Sequence, residues 1–254
     1  MKMSLKTNAP DVAARVSSIG KQAVFAAAVS LTRSAKAAQG AIRNDMVRAF
    51  VGPTNYALNG TFIKGATKTN LQAKVWVKDD AFGKGTTADR FLLPEIYGGT
   101  RGQKGMERLL QANRLMQAGW FAVPAAGAQL DGNGNVKRSQ IIQIMSQLKL
   151  QRSAGFESRA TGSDRSRRTI ARQGVTYFAL PTAYRGLKPG IYLKRKFAHG
   201  AAIRPVFIFV PLVQYAVRLR FFEVGQTTME RTFRYNFDIE LAKAIASARL
   251  GGRQ

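Results

Sequence analysis

The sequence predicts an α+β fold, on three observations. Apolar residues recur every three or four positions near both ends of the chain, which is the period of one helix face. Between them lie short segments that alternate apolar and polar residues, or run apolar between turn signals, as strands do. The order runs from helix, through mixed β with short inserted helices, to strands and closing helices. This predicts a long N-terminal helical segment, a mixed and mostly antiparallel sheet, and C-terminal helices. No internal repeat is visible. Residues 1–254 read as a single domain, with 79–174 as an inserted region inside it.

The first helical segment starts at Pro10 and Asp11 and runs to about Phe50. Val24, Ala28, Leu31, Ala35, Ala38, Ile42 and Met46 form its apolar face, and Gly20 and Gly40 are candidate breaks. Small alanines on that face allow a close-packed neighbour. Gly52-Pro53 ends the segment. From Gly60 to Lys78 the chain reads as β. Ala73-Lys74-Val75-Trp76-Val77-Lys78 alternates like a half-buried strand. Asp79 to Thr86 is a loop, Arg90 to Tyr97 reads as extended, and Gly98 to Gly102 is a flexible break.

Met106 to Gln117 reads as a short helix and Trp120 to Val123 as extended. Asp131-Gly132-Asn133-Gly134-Asn135 is a tight turn. Ser139 caps a helix to Leu150 with Ile141, Ile142, Met145 and Leu148 inward. Val175 to Leu180 and Gly190 to Phe197 read as strands joined by the turn Leu187-Lys188-Pro189-Gly190. Ala202 to Val210 follows as a strand. Pro211 suits the first position of a helix through Phe222. A last helix opens on the capping box Thr227-x-x-Glu230. Its stripe is Phe233, Phe237, Leu241, Ile245 and Ala248, and Gly251-Gly252 ends it.

The charge narrows the function. Forty Lys and Arg against fourteen Asp and Glu give a net charge of +26. Such a chain repels itself unless a polyanion or acidic neighbours balance it. Nucleic acid is the first candidate polyanion. No cysteine is present, which removes disulfides, thiolate nucleophiles and zinc–thiolate sites. The apolar runs Ala23–Leu31 and Val206–Val213 fall far short of the ~20 residues that span a bilayer. The protein is therefore expected to be made in the cytoplasm, with no membrane partner.

Catalytic chemistry lacks its parts. His199 is the single histidine, with no cysteine or paired carboxylate beside it. Asp131-x-Asn133-x-Asn135 opens like a calcium loop but has Val136 where that loop needs Gly and Ile142 where it needs Glu. Neither a phosphate-binding G-x-x-x-x-G-K-[ST] nor a nucleophile-bearing G-x-S-x-G motif occurs. No enzyme activity, cofactor or metal is expected.

The charged feature that points to a partner is residues 152–174. It holds Arg152, Arg159, Arg165, Arg167, Arg168 and Arg172, no lysine and two acids, among Ser, Gly and Thr. It reads as a flexible, exposed loop whose arginines contact phosphates or an acidic protein without reading sequence. No aromatic residue lies between Phe156 and Gly174, which argues against base stacking there.

Three blocks carry a resemblance. They are Lys21-Gln22-Ala23-Val24-Phe25-Ala26-Ala27-Ala28 through Arg43, Ala73-Lys74-Val75-Trp76-Val77, and Arg204-Pro205-Val206-Phe207-Ile208-Phe209-Val210-Pro211-Leu212 with the helices after it. Leu92-Leu93-Pro94 followed by Gly98-Gly99 adds a fourth. Together they resemble the minor tail and tail-completion proteins of tailed bacteriophages, including the minor tail protein Z family. The chain departs from the smaller members in its long middle and in residues 152–174. The resemblance implies a virion protein of the tail or head–tail connector, without enzymatic activity. It implies assembly with copies of itself in a ring, docked on portal, connector or tail-tube proteins. Duplex DNA in the channel is a further expected partner, and the host cytoplasm is the site of assembly. The alternative is a basic nucleic-acid-binding protein of the ribosomal or chromatin type.

Overall fold

The computed structural model describes residues 2–4, 21–80, 86–150 and 174–251. It is an α+β protein whose chain forms two compact units. Unit 1 takes residues 1–99 and 215–254, and unit 2 takes residues 100–214. The expected insertion began at 79 and ended at 174. The second unit instead starts after Gly99 and runs to Gln214, because its sheet includes every strand from Phe121 to Val210.

Unit 1 is built on two long helices, α1 (Lys21–Ala49) and a final helix, α6 (Phe221–Gly251). They run antiparallel. Arg33 reaches Glu240, Ser34 reaches Asn236, and Asp45 reaches Arg220, so positions rise along one helix as they fall along the other. The periodic stripe of α1 is its buried face: Ala28, Leu31, Ala35, Ala38, Ile42 and Met46 are all at most 5% exposed. Toward α6, α1 presents Ala26 and Ala27, which pack on Phe237, with Phe233, Leu241 and Leu71 around them. Small residues here let the helix backbones approach. The Ser30 hydroxyl, also buried, donates to the Ala26 carbonyl one turn back and needs no other partner.

Gly40 does not break α1. It faces solvent, and a Cβ there would meet nothing within 4 Å. Gly40→Ala should therefore stabilise unit 1 by ~0.5–1 kcal/mol, through lower unfolded-chain entropy. A urea titration of the variant checks this, and an unchanged or lower midpoint would refute it.

The sheet of unit 1 has β1 (Lys2–Ser4), β2 (Thr61–Lys64) and β3 (Lys74–Val77), antiparallel in the order β1-β3-β2. The expected alternation is present. Val75 and Val77 are buried with Leu31, Ile42 and Met46, while Trp76 turns to the other face against Phe62, 4.8 Å between ring centroids. A helical turn not foreseen, α2 (Asn55–Leu58), is capped by the Thr54 side chain, which accepts from the Ala57 N–H.

The expectation of an extended Arg90–Tyr97 was wrong. Asp89–Tyr97 is helix α3. Proline at position 94 suggested an extended chain, but it removes only one donor from this short helix. Leu92 and Ile96, four apart, supply a buried face together with Ala88. Gly98, at φ +73°, ends the helix with its N–H on the Pro94 carbonyl.

Two further expectations fail near α6. No helix follows Pro211. Instead Arg218 and Leu219 donate their backbone N–H groups to the Glu95 carbonyl at 2.9 and 3.0 Å, which holds that segment out of a helix. Thr227-x-x-Glu230 is not a cap either, because α6 already starts at Phe221. The start is fixed from another element: the Asp45 carboxylate accepts the Arg220 N–H at 3.1 Å. Glu230 accepts from Gln226 rather than reaching back to Thr227. The stripe Phe233, Phe237, Leu241 and Ile245 lies at least half-buried, with Phe237 at 8% exposed.

Unit 2 holds an antiparallel sheet of β4 (Phe121–Pro124), β5 (Val175–Leu180), β6 (Gly190–Phe197) and β7 (Gly200–Val210), in the order β4-β7-β6-β5. Helices α4 (Gly105–Ala112) and α5 (Arg138–Gln147) cover it, and Leu110, Ile144, Ile191, Val206 and Phe207 form the core. Gly190 is obligatory in the central pair, since a Cβ there would lie 2.3 Å from the Phe207 carbonyl oxygen.

Helix α4 ends five residues sooner than expected, and α5 begins at Arg138 without a side-chain cap from Ser139. Ile142, expected inward, is 56% exposed. Gln140 is buried instead, accepting from the Gln129 N–H and donating to the Gly127 carbonyl, so a polar tie takes the inner position. The turn between β5 and β6 is Arg185-Gly186, at φ +48° and +78°, and not Leu187–Gly190. Tyr184 and Leu187 exchange both backbone hydrogen bonds across it, as in a two-residue hairpin. The Asp131–Asn135 turn forms as expected, with Asp131 Oδ1 accepting from the Asn133 and Asn135 N–H groups.

Candidate polyanion-facing surface

The six arginines singled out in the sequence, Arg152, Arg159, Arg165, Arg167, Arg168 and Arg172, lie outside the described residues. The described part of the chain nevertheless shows where its charge goes. Among the described residues, four carboxylates are buried: Asp45, Glu95, Glu107 and Glu240. Each is bonded to an arginine. Arg220 serves Asp45, Arg218 serves Glu95 through two 2.8 Å bonds, Arg101 serves Glu107, and Arg33 serves Glu240 with Lys243 beside it. Arg101 is nearly buried, while Arg33, Arg218 and Arg220 are about half exposed, so these acids offset part of the surface charge as well.

Glu107 is the most enclosed of them, with no exposed surface. It sits in the first turn of α4, where its Oε2 accepts the Lys104 N–H at 2.6 Å and Arg101 Nη1 at 2.8 Å. Its Oε1 accepts Arg101 Nη2 at 2.5 Å and the Ala122 N–H of β4 at 2.9 Å. One side chain thus ties loop, helix and strand. Burial pushes this carboxyl up, but the bonds from Arg101, Lys104 and Ala122 outweigh it and hold it below the ordinary carboxylate value. The Arg101 guanidinium in turn lies 5.0 Å above the Phe121 ring. With every oxygen lone pair engaged, this is a structural knot and has no free group for chemistry.

Exposed positive charge is also found in unit 2. From residue 165 to 222 the sequence contains twelve Lys and Arg and no acid. Among the described residues, four of these cations, Lys194, Arg195, Lys196 and Arg204, lie on the β6–β7 hairpin. β5 pairs with β6 only as far as Val175 opposite Arg195, and β4 pairs with β7 only at Phe207–Val210. β5 therefore flanks Lys194 and Arg195, and the β6–β7 hairpin closes at Phe197 opposite Gly200 with Ala198 and His199 in the turn.

The register places cations on both faces of this hairpin. Lys194 stands opposite Ile203 and Lys196 opposite Ala201 on one face. Arg195 opposite Ala202, and Arg204 opposite Leu193, are on the other. All four cations are exposed. Arg195 also lies 5.9 Å above the Phe197 ring, which is itself 58% exposed near the tip. The backbone N–H of Lys196 donates to the Gly174 carbonyl, continuing the pairing with β5 by one residue. The single histidine, His199, is exposed in the turn, with no partner for catalysis named by the geometry around it. Sequence reading found these strands but not the hairpin's character. The signal was the missing acids over 165–222, which no motif search registers.

Among the described residues, no three His, Cys, Asp or Glu side chains gather to hold a metal, and no helix is long and apolar enough to cross a membrane. No protein-family model, curated protein or solved structure matches the chain.

Proposed function

We propose that this chain is a structural protein of a tailed-phage particle, placed in the tail or at the head–tail junction and without catalytic activity. The observation that carries the reading is the disposition of charge. The buried acids are each consumed by an arginine, so the +26 excess faces outward and requires a polyanion or acidic neighbours. A ring of such subunits around DNA meets that requirement, with connector or tail-tube proteins above and below it. The four blocks of resemblance, running from α1 to the β7–Pro211 segment, support the same placement.

Cryo-electron microscopy of intact particles made with the chain present tests this. The expected map shows several copies encircling the tail axis. A single copy, copies scattered over the shell, or none in the particle would overturn it. The four exposed cations of the β6–β7 hairpin also favour the second reading, a chromatin-like or ribosomal-type binder outside any particle. That reading predicts DNA- or RNA-bound protein in cells and no chain in purified particles.

A further inference from the structure

We propose that the outer face of the β2–β3 pair in unit 1 is a platform for single-stranded DNA, with bases stacking on Phe62 and Trp76 and phosphates held by the lysines beside them. The inference goes beyond the particle reading and does not rest on it, since a duplex threading a ring presents no unstacked base.

Strand alternation builds this face. Val75 and Val77 enter the unit 1 core, so Lys74, Trp76 and Lys78 take the other side of β3. The register does the same on β2. Thr61 stands opposite Val77 and Ile63 opposite Val75, which leaves Phe62 opposite Trp76 and Lys64 opposite Lys74 on the outer side. The Lys78 N–H donates to the Gly60 carbonyl, so the pairing holds at that end as well. The outer positions of the two strands thus carry two aromatic rings among three lysines.

A cross-strand aromatic pair can serve only to hold a sheet together. Trp76 fits that role, half-buried with the Phe62 ring centroid 4.8 Å away. Phe62 exceeds it, because 48% of the residue stays exposed, and among the described residues neither ring joins a buried cluster. The charge around them is all of one sign. The sequence has no Asp or Glu from residue 46 to 78, and among the described residues no ion pair engages Lys64, Lys74 or Lys78. Asp79 and Asp80, exposed past the end of β3, repel phosphate there and direct the strand toward Lys64 and Lys74.

Rings interleaved with cations are what sequence-tolerant binding of single strands uses. A duplex keeps its bases stacked inside, so this face would reach only its phosphates and Phe62 would add nothing. An acidic protein would use the lysines without needing a ring. None of the five outer side chains offers a carbonyl or hydroxyl to a ribose 2′-hydroxyl, so nothing here selects RNA.

The test measures binding of the full chain to a fluorescent twelve-nucleotide oligothymidylate and to a duplex of equal length. Phe62→Leu keeps apolar bulk but removes the ring. It should weaken oligothymidylate binding by about 5- to 150-fold, the range that stacking of one base supplies, and leave duplex binding within about twofold. Phe62→Tyr should bind like the native chain. Replacing Lys64 and Lys74 together with Gln should make the log–log salt slope shallower by ~1.4, as for two single-strand phosphate contacts.

Unchanged binding by Phe62→Leu, or equal losses for single strand and duplex, would overturn the platform. So would an abasic oligomer that competes as well as the oligothymidylate, because charge alone would then explain the contact. Oligouridylate bound more than tenfold tighter would overturn the assignment to DNA. If the variants do not fold, photocrosslinking of the unaltered chain to an oligomer carrying 5-iododeoxyuridine decides. Adducts at Phe62 or Trp76 support the platform, and adducts only elsewhere, or none, refute it. Absence of the chain from virions would sink the structural role and leave this face standing.

Discussion

Replacing Glu107 with alanine should destabilise unit 2 by ~3–5 kcal/mol, the usual cost of breaking a buried ion pair by removing one partner. The change takes the carboxylate away from the nearly buried Arg101 and leaves the Lys104 and Ala122 N–H groups without their acceptor. That is a large fraction of the stability of an ordinary domain. A urea or thermal melt followed by Trp120 fluorescence measures it. A loss below about 1 kcal/mol would show that water takes the place of the carboxylate and that the site is looser than described.

The same residue sets an acid limit. Its folded carboxyl titrates below the ordinary value, so the folded state binds that proton less readily than the unfolded chain. The associated stability is fully present above ~4.3, the unfolded value, and is lost as pH falls through the lower folded value. Glu107→Gln has no such carboxyl. Its stability should therefore fall less steeply below pH ~4 than that of the native chain, even though it starts lower. Parallel pH profiles would remove Glu107 as the origin.

Phe237→Ala should destabilise unit 1 by a similar ~3–5 kcal/mol. Phe237 is the large side chain of α6 set against Ala26 and Ala27, and it stacks on Phe233 at 5.9 Å. The alanines opposite cannot fill the space it leaves, so the cavity persists unless the two helices shift. Melting of the variant tests this, read on unit 1 by Trp76. A melting temperature within one degree of the native value would show that the two helices do not depend on this contact.

The long helices and the fold class were legible because their residues obey a local rule. The 3.6-residue repeat of Leu31, Ala35, Ala38, Ile42 and Met46 is set by geometry within one helix, and burial follows it. The alternation over Ala73–Val77 is equally local. The errors came where another element decides. Pro94 looked extended, yet Leu92 and Ile96 have a core to enter. Pro211 permits a helix, but Glu95 captures the backbone after it. Thr227 and Glu230 spell a cap, while the actual start of α6 is held by Asp45, some 175 positions earlier. In α5 the buried place went to Gln140 rather than Ile142, because the loop between β4 and α5 supplies its hydrogen bonds.

The candidate site was legible only in part. The arginines of 152–174 stand out as a local cluster, and they lie outside the described residues. The cations of the β6–β7 hairpin needed the structure, because only the register shows that Lys194 and Lys196 share one face and Arg195 and Arg204 the other.

The antiparallel pairing of α1 with α6 has a consequence for synthesis. Nearly all the contacts that bury the α1 stripe toward α6 join residues about 200 positions apart, whereas the unit 2 sheet closes within residues 121–210. Long loops closed late slow folding, and chains emerge at ~5–20 residues per second. Unit 2 can thus finish while α1 still waits, for ~10 s or more, with Ala26, Ala27 and their neighbours open. Chaperone occupancy during translation should accordingly begin once α1 has emerged and end only when Phe237 does.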